Sequence, residues 1–248
     1  MSAEAGTAYV TGGSSGIGLA IARALVERGW SLSICGRNPA KLEEAWAALE
    51  PGGPAIEGRR KSDGPKEQMV YAEPADVSSE TDVRRWIAAS RERFGPPDLL
   101  VNNAGVGSWA EISALGETDW DRVMNVNLKG AFLCTREVLP MMRARGGGYV
   151  VNIASLAGKK GMAGGAAYCA SKFGMVGFTE SLLAEEKKNG IRATAICPGY
   201  VATPMVGDAD VPASEMIQPV DIARTVLYLL DLSPKVIIKE IVVERVGA

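Results

Sequence analysis

The sequence contains no histidine. This absence excludes Ser-His-Asp and Cys-His catalysis, and it excludes metal sites with histidine ligands. No C-x-x-C pair occurs, and each cysteine lies among apolar residues, which is typical of reduced core residues in a reducing compartment. These residues are Cys35, Cys134, Cys169 and Cys197.

Long apolar and basic runs are also missing. No stretch approaches the ~18 apolar residues that a membrane-spanning helix needs, and the segment Met1–Gly6 has no basic n-region of a signal peptide. The formal net charge of −2 argues against nucleic acid as the main partner. We therefore expect a cytoplasmic protein that binds neither membranes nor nucleic acid.

The 248 residues, 47% of them hydrophobic, are enough for a substantial core. Short β-branched runs alternate with amphipathic stretches. The predicted strands are Thr7–Thr11, Ser31–Cys35, Gln68–Ala72, Asp98–Asn102, Gly148–Ile153, Ile191–Cys197 and Glu240–Val243. The predicted helices are Ile17–Arg28, Pro39–Leu49, Ser79–Phe94, Thr118–Arg145, Ala166–Asn189 and Val220–Leu230.

This alternation predicts an α/β fold of the Rossmann type. In such a fold a doubly wound parallel sheet carries helices on both faces, which gives three α/β/α layers. No internal boundary resembles a linker, so we expect residues 1–248 to form a single domain. The segment at about 50–67, rich in Gly, Pro and charge, is predicted to be a surface insertion.

A glycine-rich segment, Thr11-Gly-Gly-Ser-Ser-Gly-Ile-Gly18, follows the first predicted strand and opens the first helix. Glycines permit a tight turn and a close approach of the backbone to a pyrophosphate. The helix N-terminus adds unpaired N–H groups and a positive dipole end, and the serine hydroxyls add donors. The predicted pyrophosphate site comprises Gly12, Ser14, Ser15, Gly16, Ile17 and Gly18.

A tyrosine and a lysine four residues apart, Tyr168 and Lys172, share one face of a predicted helix. A cation beside a phenol favours the phenolate and lowers its pKa from about 10. Proton exchange near neutral pH then becomes possible. The pair is therefore a candidate acid/base site.

Taken together, the motifs resemble those of the short-chain dehydrogenase/reductase family, in its single-domain branch of about 250 residues. The resemblance covers residues 7 to about 230 and implies hydride transfer between a nicotinamide dinucleotide and a carbonyl or secondary alcohol. Its motifs follow one another as TGGSSGIG at 11–18, NNAG at 102–105, NVNL at 125–128, Ser155, Y-x-x-x-K at 168–172 and PGYVAT at 198–203.

The resemblance assigns roles at the reacting end. Tyr168 is the acid/base, and Ser155 hydrogen-bonds the substrate oxygen and stabilises the charge that develops there. Lys172 lowers the pKa of Tyr168 and hydrogen-bonds the nicotinamide ribose. Asn127 holds a water that links the lysine to solvent, with Asn125 as the competing candidate.

Gly36, Arg37 and Asn38 follow the second predicted strand, where an acidic residue commonly binds the ribose 2′-OH of NAD. No carboxylate is present, and the Arg37 guanidinium suits a 2′-phosphate. We therefore expect NADP(H) rather than NAD(H), the alternative being that Arg37 points into solvent. The resemblance adds further cofactor contacts at Asp76, Val77, Asn103, Val201 and Thr203.

Substrate choice is expected in a mobile lid at about 204–219, a small-molecule carbonyl or alcohol being the substrate. Tyr200, Met162 and Trp109 are either pocket walls or ordinary packing residues. Lys159 and Lys160 either attract an anionic substrate or are solvated.

The C-terminal segment lacks the glycine-rich turn and terminal V-D-G-G of acyl-carrier-protein reductases, which favours reductases of modest carbonyls. Two alternatives remain: a reductase of acyl-carrier-bound 3-oxoacyl groups and a non-catalytic dinucleotide-binding regulator. The apolar last strand, which includes Ile241 and Val242, favours a homodimer or homotetramer.

Overall fold

The computed structural model describes residues 5–49, 69–206 and 211–247. Within these residues, seven parallel strands form one sheet in the order β3-β2-β1-β4-β5-β6-β7. They are β1 Thr7–Thr11, β2 Ser31–Gly36, β3 Val70–Pro74, β4 Leu99–Asn102, β5 Gly148–Ile153, β6 Ile191–Pro198 and β7 Glu240–Val243. The strand order reverses between β1 and β4, which creates the crevice where open α/β sheets bind ligands.

Helices cover both faces of this sheet. They are α1 Gly16–Glu27, α2 Pro39–Leu49, α3 Glu80–Phe94, α4 Glu117–Met124, α5 Gly130–Ala144, α6 Ala166–Glu186 and α7 Pro219–Asp231. None of the described helices has the length and apolar character that a bilayer crossing requires. The prediction of a three-layer Rossmann-type fold is confirmed.

Alternation along β1 shows how the two layers are divided. Val10 belongs to the core cluster that contains Leu25 of α1 and Leu229 of α7. Its neighbour Tyr9 belongs to the opposite cluster, with Trp86 of α3, and the two rings lie 5.9 Å apart. Successive side chains of a strand point to opposite faces, and every residue of β1 is buried because helices cover both faces.

The predicted helix Thr118–Arg145 differs from the structure in one respect. A π-helical turn, Asn125–Lys129, separates α4 from α5. Such a turn carries one more residue than an α-helical turn and changes the direction of the side chains that follow it. The uninterrupted helix was therefore wrong at these five residues.

Three predictions concern residues outside the described ranges. The surface insertion at about 50–67 lies there, as do Gln68 of the third predicted strand and residues 207–210 of the predicted lid. The described part of that strand begins at Val70 and runs to Pro74, two residues beyond the predicted end at Ala72.

Candidate active site

The turn between β1 and α1 requires glycine for reasons visible in its backbone. Gly12 and Gly16 have φ angles of +64° and +53°, a region that side chains other than glycine rarely adopt. A Cβ on Gly18 would lie 2.3 Å from the Gly12 carbonyl oxygen. The chain thus doubles back tightly here, and the N-terminus of α1 faces the crevice with its unpaired N–H groups.

A cavity of about 650 Å³ extends from this turn to the C-terminal ends of β5 and β6. It brings together most of the residues predicted from the sequence. From the predicted cofactor site it is lined by Gly12, Ser14, Ser15, Gly16, Ile17, Arg37, Asp76, Val77, Asn103, Val201 and Thr203, and from the predicted catalytic group by Ser155, Tyr168 and Lys172. Gly18 and Asn127 do not line it.

Asn103 fixes the floor of the cavity by joining the ends of β4 and β1. Its side-chain amide donates to the carbonyl oxygens of Thr11 and Gly12 at 3.0 and 3.2 Å. The Thr11 hydroxyl in turn accepts the backbone N–H groups of Asn103 and Ala104. On the opposite wall, a Cβ on Gly16 would lie 3.1 Å from the Thr203 methyl, so Thr203 closely faces the glycine turn.

At the end of β2, Arg37 is exposed and lines the cavity together with Lys41. The Asn38 side chain accepts the Lys41 backbone N–H at 3.1 Å and thereby starts α2. Within the described residues, neither Arg37 nor Lys41 forms an ion pair. The sequence reasoning missed Lys41, which lies in the first turn of α2, directly after the segment that carries Arg37.

Asp76 is held before α3 by its own turn. Its carboxylate accepts both the backbone N–H and the hydroxyl of Ser78, at 2.9 and 2.7 Å. Its backbone N–H donates to Asp82, whose pKa is lowered chiefly by that hydrogen bond and further by Arg85. Asp76 therefore presents a fixed acceptor where the resemblance expects the adenine.

Ser155 and Tyr168 meet where β5 ends. The Ser155 hydroxyl accepts the Ala157 backbone N–H at 3.1 Å and donates to the Pro198 carbonyl oxygen at 3.4 Å. Burial raises the pKa of Tyr168 above its ordinary value, and the nearby Ser155 hydroxyl only partly offsets that rise. The phenol is therefore protonated at neutral pH in the protein alone.

Lys172 is 4% exposed, and its ammonium donates to the Ile153 carbonyl oxygen at 2.7 Å. The ammonium lies 5.6 Å from the centroid of the Tyr168 ring. Burial lowers the pKa of Lys172 to about 8. In the protein alone the net pKa of Tyr168 is raised, with burial of the phenol as the largest cause. The lowering of this pKa by Lys172 in the cofactor complex stays a prediction.

Asn127 lies in the π-helical turn and is fully buried. Its side chain accepts the Val106 N–H at 2.8 Å and donates to the Val106 carbonyl at 3.0 Å. It also donates to the Ser171 hydroxyl at 3.0 Å, and that hydroxyl donates to the Tyr168 carbonyl at 2.7 Å. Asn127 thus ties the loop after β4 to the helix that carries the tyrosine and lysine.

The residues predicted for substrate selection separate into two groups. Trp109 lines the cavity, whereas Tyr200 and Met162 are exposed and do not. Lys159 donates to Glu240 at 3.0 Å, and neither it nor Lys160 lines the cavity. Arg122 was not singled out from the sequence, yet it lines the cavity as well.

The glycine turn, the crevice and the pair formed by a half-buried tyrosine and a buried lysine define an oxidoreductase of the Rossmann type. Comparison with known proteins identifies its family. The chain belongs to the short-chain dehydrogenase family, whose model matches residues 6–212. A provisionally named ketoacyl reductase of Streptomyces coelicolor is 37% identical over 246 residues, which cover 90% of this chain and 89% of that protein.

Solved structures agree with this membership. The crystal structure of levodione reductase has a TM-score of 0.83 and 34% identity, covering 96% of this chain and 95% of that one. A metagenomic short-chain oxidoreductase in complex with NADP has a TM-score of 0.81 and 30% identity, covering 98% of both chains. The protein is an oxidoreductase of this family.

Proposed function

We propose that the protein interconverts a carbonyl and a secondary alcohol on a small molecule, using NADP(H), with Tyr168 as acid/base. One observation carries this proposal. The phenol of Tyr168 and the hydroxyl of Ser155 line the same cavity as the glycine turn that suits a pyrophosphate. A dinucleotide bound at the turn and a substrate whose oxygen meets the phenol would therefore occupy the same cavity, next to each other.

The backbone of the glycine turn supports the proposal that a dinucleotide binds there. Gly12 and Gly16 line the cavity with positive φ angles, and Gly18 packs against the Gly12 carbonyl and the Asn103 amide with no room for a Cβ. When bound, the nicotinamide supplies or accepts the hydride. Gly12, Ser14, Ser15, Gly16, Ile17 and Gly18 would form the pyrophosphate site, with Asp76, Val77 and Asn103 towards the adenosine and Val201 and Thr203 towards the nicotinamide.

The remaining chemistry belongs to the side chains at the end of β5. During reduction, the Ser155 hydroxyl donates a hydrogen bond to the substrate oxygen as charge develops there. Tyr168 donates its proton to that oxygen, and its raised pKa keeps the donor protonated at neutral pH. Lys172, whose pKa is about 8, exchanges protons near neutrality, and Asn127 holds the loop and helix around it.

The preference for NADP(H) over NAD(H) rests on two cations, one directly after β2 and one in the first turn of α2. Arg37 and Lys41 both line the cavity there. A guanidinium matches the oxygens of a 2′-phosphate, and an ammonium adds a second positive charge. The NADP complex of a structural relative supports this preference.

Carrier-bound 3-oxoacyl reduction is a second candidate, since a relative carries the name of a ketoacyl reductase. A non-catalytic regulator has less support, because the proton donor and its partners all line or border the cavity.

Assembly and location are also proposed. We propose a homodimer or homotetramer, because Ile237 and Val242 near the last strand are exposed apolar side chains. A cytoplasmic location is proposed from the four buried free cysteines. Light scattering of the purified protein tests the assembly, and a monomer would contradict it.

The decisive experiment is a panel of small ketones, hydroxy acids and a 3-oxoacyl thioester, each assayed by NADPH and NADH absorbance. We expect turnover of a small ketone with NADPH, with kcat/KM at least about tenfold above that with NADH, which corresponds to about 1.4 kcal/mol. Tyr168→Phe is the blank. If NADPH binds but no carbonyl is reduced, the regulator hypothesis replaces this one.

A further inference from the structure

The indole of Trp109 packs against the proposed proton donor. The ring centroids of Trp109 and Tyr168 are 5.3 Å apart, and their planes are tilted by 53°, a favourable geometry for two aromatic rings. Trp109 nevertheless remains 52% exposed and lines the cavity. It contacts the tyrosine on one side and offers free surface to a ligand on the other.

Two glycines make room for this indole. A Cβ on Gly107 would lie 3.0 Å from the indole Cζ2, and a Cβ on Gly165 would lie 3.2 Å from its Cζ3. Both distances are shorter than ordinary contacts, so any side chain at either glycine would displace the ring.

Backbone pairing holds the loop that carries Trp109 in place. Ala110 forms a parallel bridge with Gly165, and its N–H donates to the Gly164 carbonyl at 2.8 Å. Gly165 in turn precedes α6 and lies three residues before Tyr168. The indole is therefore fixed relative to the phenol.

We propose that Trp109 is a specificity-determining residue that selects neutral, flat or cyclic carbonyl compounds by stacking on their carbon skeleton. The inference rests on the proposed function, because it assumes that a carbonyl oxygen meets Tyr168 and Ser155. A compound anchored there by its oxygen has its carbon skeleton within reach of an indole whose centroid is 5.3 Å from the phenol ring. A planar skeleton gains contact with the indole that a short acyclic chain cannot match.

The charges near Trp109 support a neutral substrate. The Arg122 guanidinium lines the cavity but donates from one nitrogen to the Gly107 carbonyl and to Asp119, at 3.2 and 2.9 Å. Lys172 is directed to the Ile153 carbonyl. Met205 and Val206, which follow Thr203, add apolar lining. Asp119 thus already forms an ion pair with Arg122, so a substrate carboxylate would compete with it for that guanidinium.

The test uses the full-length protein with NADPH and three ketones: 1-tetralone, which is flat and bicyclic, cyclohexanone, and the acyclic anion acetoacetate. We expect kcat/KM to be highest for 1-tetralone. Trp109→Ala should lower that value by about tenfold while changing the acetoacetate value by less than about threefold. Trp109→Phe, which keeps an aromatic face, should retain most of the 1-tetralone activity.

The matched control is Trp120→Ala. Trp120 is also an exposed tryptophan, on α4, but it does not line the cavity, so its removal should change neither substrate. Equal losses for 1-tetralone and acetoacetate in Trp109→Ala would overturn the proposal, because the indole would then only support Tyr168. A wild-type preference for acetoacetate would overturn it as well.

Calorimetric binding of 1-tetralone to the protein saturated with NADP⁺ separates this proposal from the proposed function. One outcome is that none of the ketones is reduced but 1-tetralone binds, and that Trp109→Ala weakens its binding about tenfold. The proposed role of Trp109 in ligand selection is then supported, and the proposed catalytic function is contradicted. If ketones are reduced and Trp109→Ala binds 1-tetralone as well as the wild type does, the proposed role of Trp109 is contradicted and the proposed catalytic function is supported.

Discussion

The ammonium of Lys172 and the carbonyl oxygen of Ile153 form a 2.7 Å hydrogen bond inside the protein. Among the described residues, no carboxylate forms an ion pair with this ammonium. A buried cation without a counter-ion costs free energy of folding. The charge near Tyr168 should therefore lower the stability of the protein, and this cost can be measured.

Lys172→Met should therefore stabilise the protein at pH 7. The shift of the Lys172 pKa from 10.5 to about 8 corresponds to about 3 kcal/mol at most, and loss of the hydrogen bond to Ile153 subtracts from this value. Chemical denaturation of both proteins measures the difference. Activity should be lost in the same variant.

The pH dependence of that difference has a defined sign. Below about pH 8 the lysine is protonated in both the folded and the unfolded protein, so the full cost of burying the charge is present. Between about pH 8 and 10.5 the unfolded chain binds a proton that the folded protein has released, so the wild type gains stability with rising pH. The advantage of Lys172→Met should shrink across this window. An advantage independent of pH would contradict the assignment.

Tyr168→Phe should abolish carbonyl reduction, since the phenol is the proposed proton donor. Loss of a general acid lowers the rate by about 10²–10⁴-fold. NADPH affinity, measured by calorimetry, should stay within a few-fold. Ser155→Ala should lower kcat and leave NADPH affinity unchanged. Normal turnover by Tyr168→Phe would exclude the mechanism.

Arg37→Ala and Lys41→Ala should weaken NADPH binding and spare NADH. A hydrogen bond to a charged group contributes about 1.5–3 kcal/mol, so each variant should lose about ten- to a hundredfold in NADPH affinity. Lys188→Ala is the control, because Lys188 is an exposed cation in the 3-10 turn that follows α6. Titration calorimetry with both dinucleotides decides the matter, and equal losses for the two would refute the 2′-phosphate contact.

Asn127→Ala should destabilise the protein by about 2–4 kcal/mol, because it leaves both polar groups of the Val106 backbone without their partner. Asn125→Ala is the matched control in the same π-helical turn, and its cost should be below about 1 kcal/mol. Denaturant unfolding measures both. Similar costs would mean that the Asn127 hydrogen bonds are not important for stability.

Gly18→Ala should weaken NADPH binding and lower stability, since the new methyl would lie 2.3 Å from the Gly12 carbonyl oxygen and 2.4 Å from the Asn103 amide. Gly177→Ala is the control. Gly177 also lies in a helix, but a Cβ there meets nothing within 4 Å. It should stabilise the protein by about 0.5–1 kcal/mol. Thermal unfolding measures the stability of both variants. A Gly18→Ala variant as stable as Gly177→Ala would contradict this account.

The sequence was sufficient for features that depend on local patterns. β1 is buried along its whole length, and a strand covered on both faces shows an apolar run that can be recognised without a structure. Gly12 and Gly16 have positive φ angles, and glycine is the residue type that adopts such angles most readily. The glycines of the sequence therefore indicated a tight turn. The family motifs supplied the other residues of the predicted cofactor site.

Features that depend on distant contacts could not be predicted. The π-helical turn is held by the hydrogen bonds of Asn127 to Val106, 21 residues earlier in the chain. The raised pKa of Tyr168 comes from burial, which spacing from a lysine does not reveal. The same holds for Trp109, whose packing on Tyr168 depends on the pairing of Ala110 with Gly165.

The π-helical turn contains one residue more than an α-helical turn, and the packing on both sides of the turn depends on that residue. An α-helix advances by about 100° per residue, so deleting any one residue of Asn125–Lys129 would regularise the helix but rotate its two halves relative to each other. Asn127 would turn away from Val106, or the buried side chains Leu133, Val138 and Met142 of α5 would leave the core. A natural or engineered variant can change residues here, but it cannot shorten the segment without losing one of the two packings.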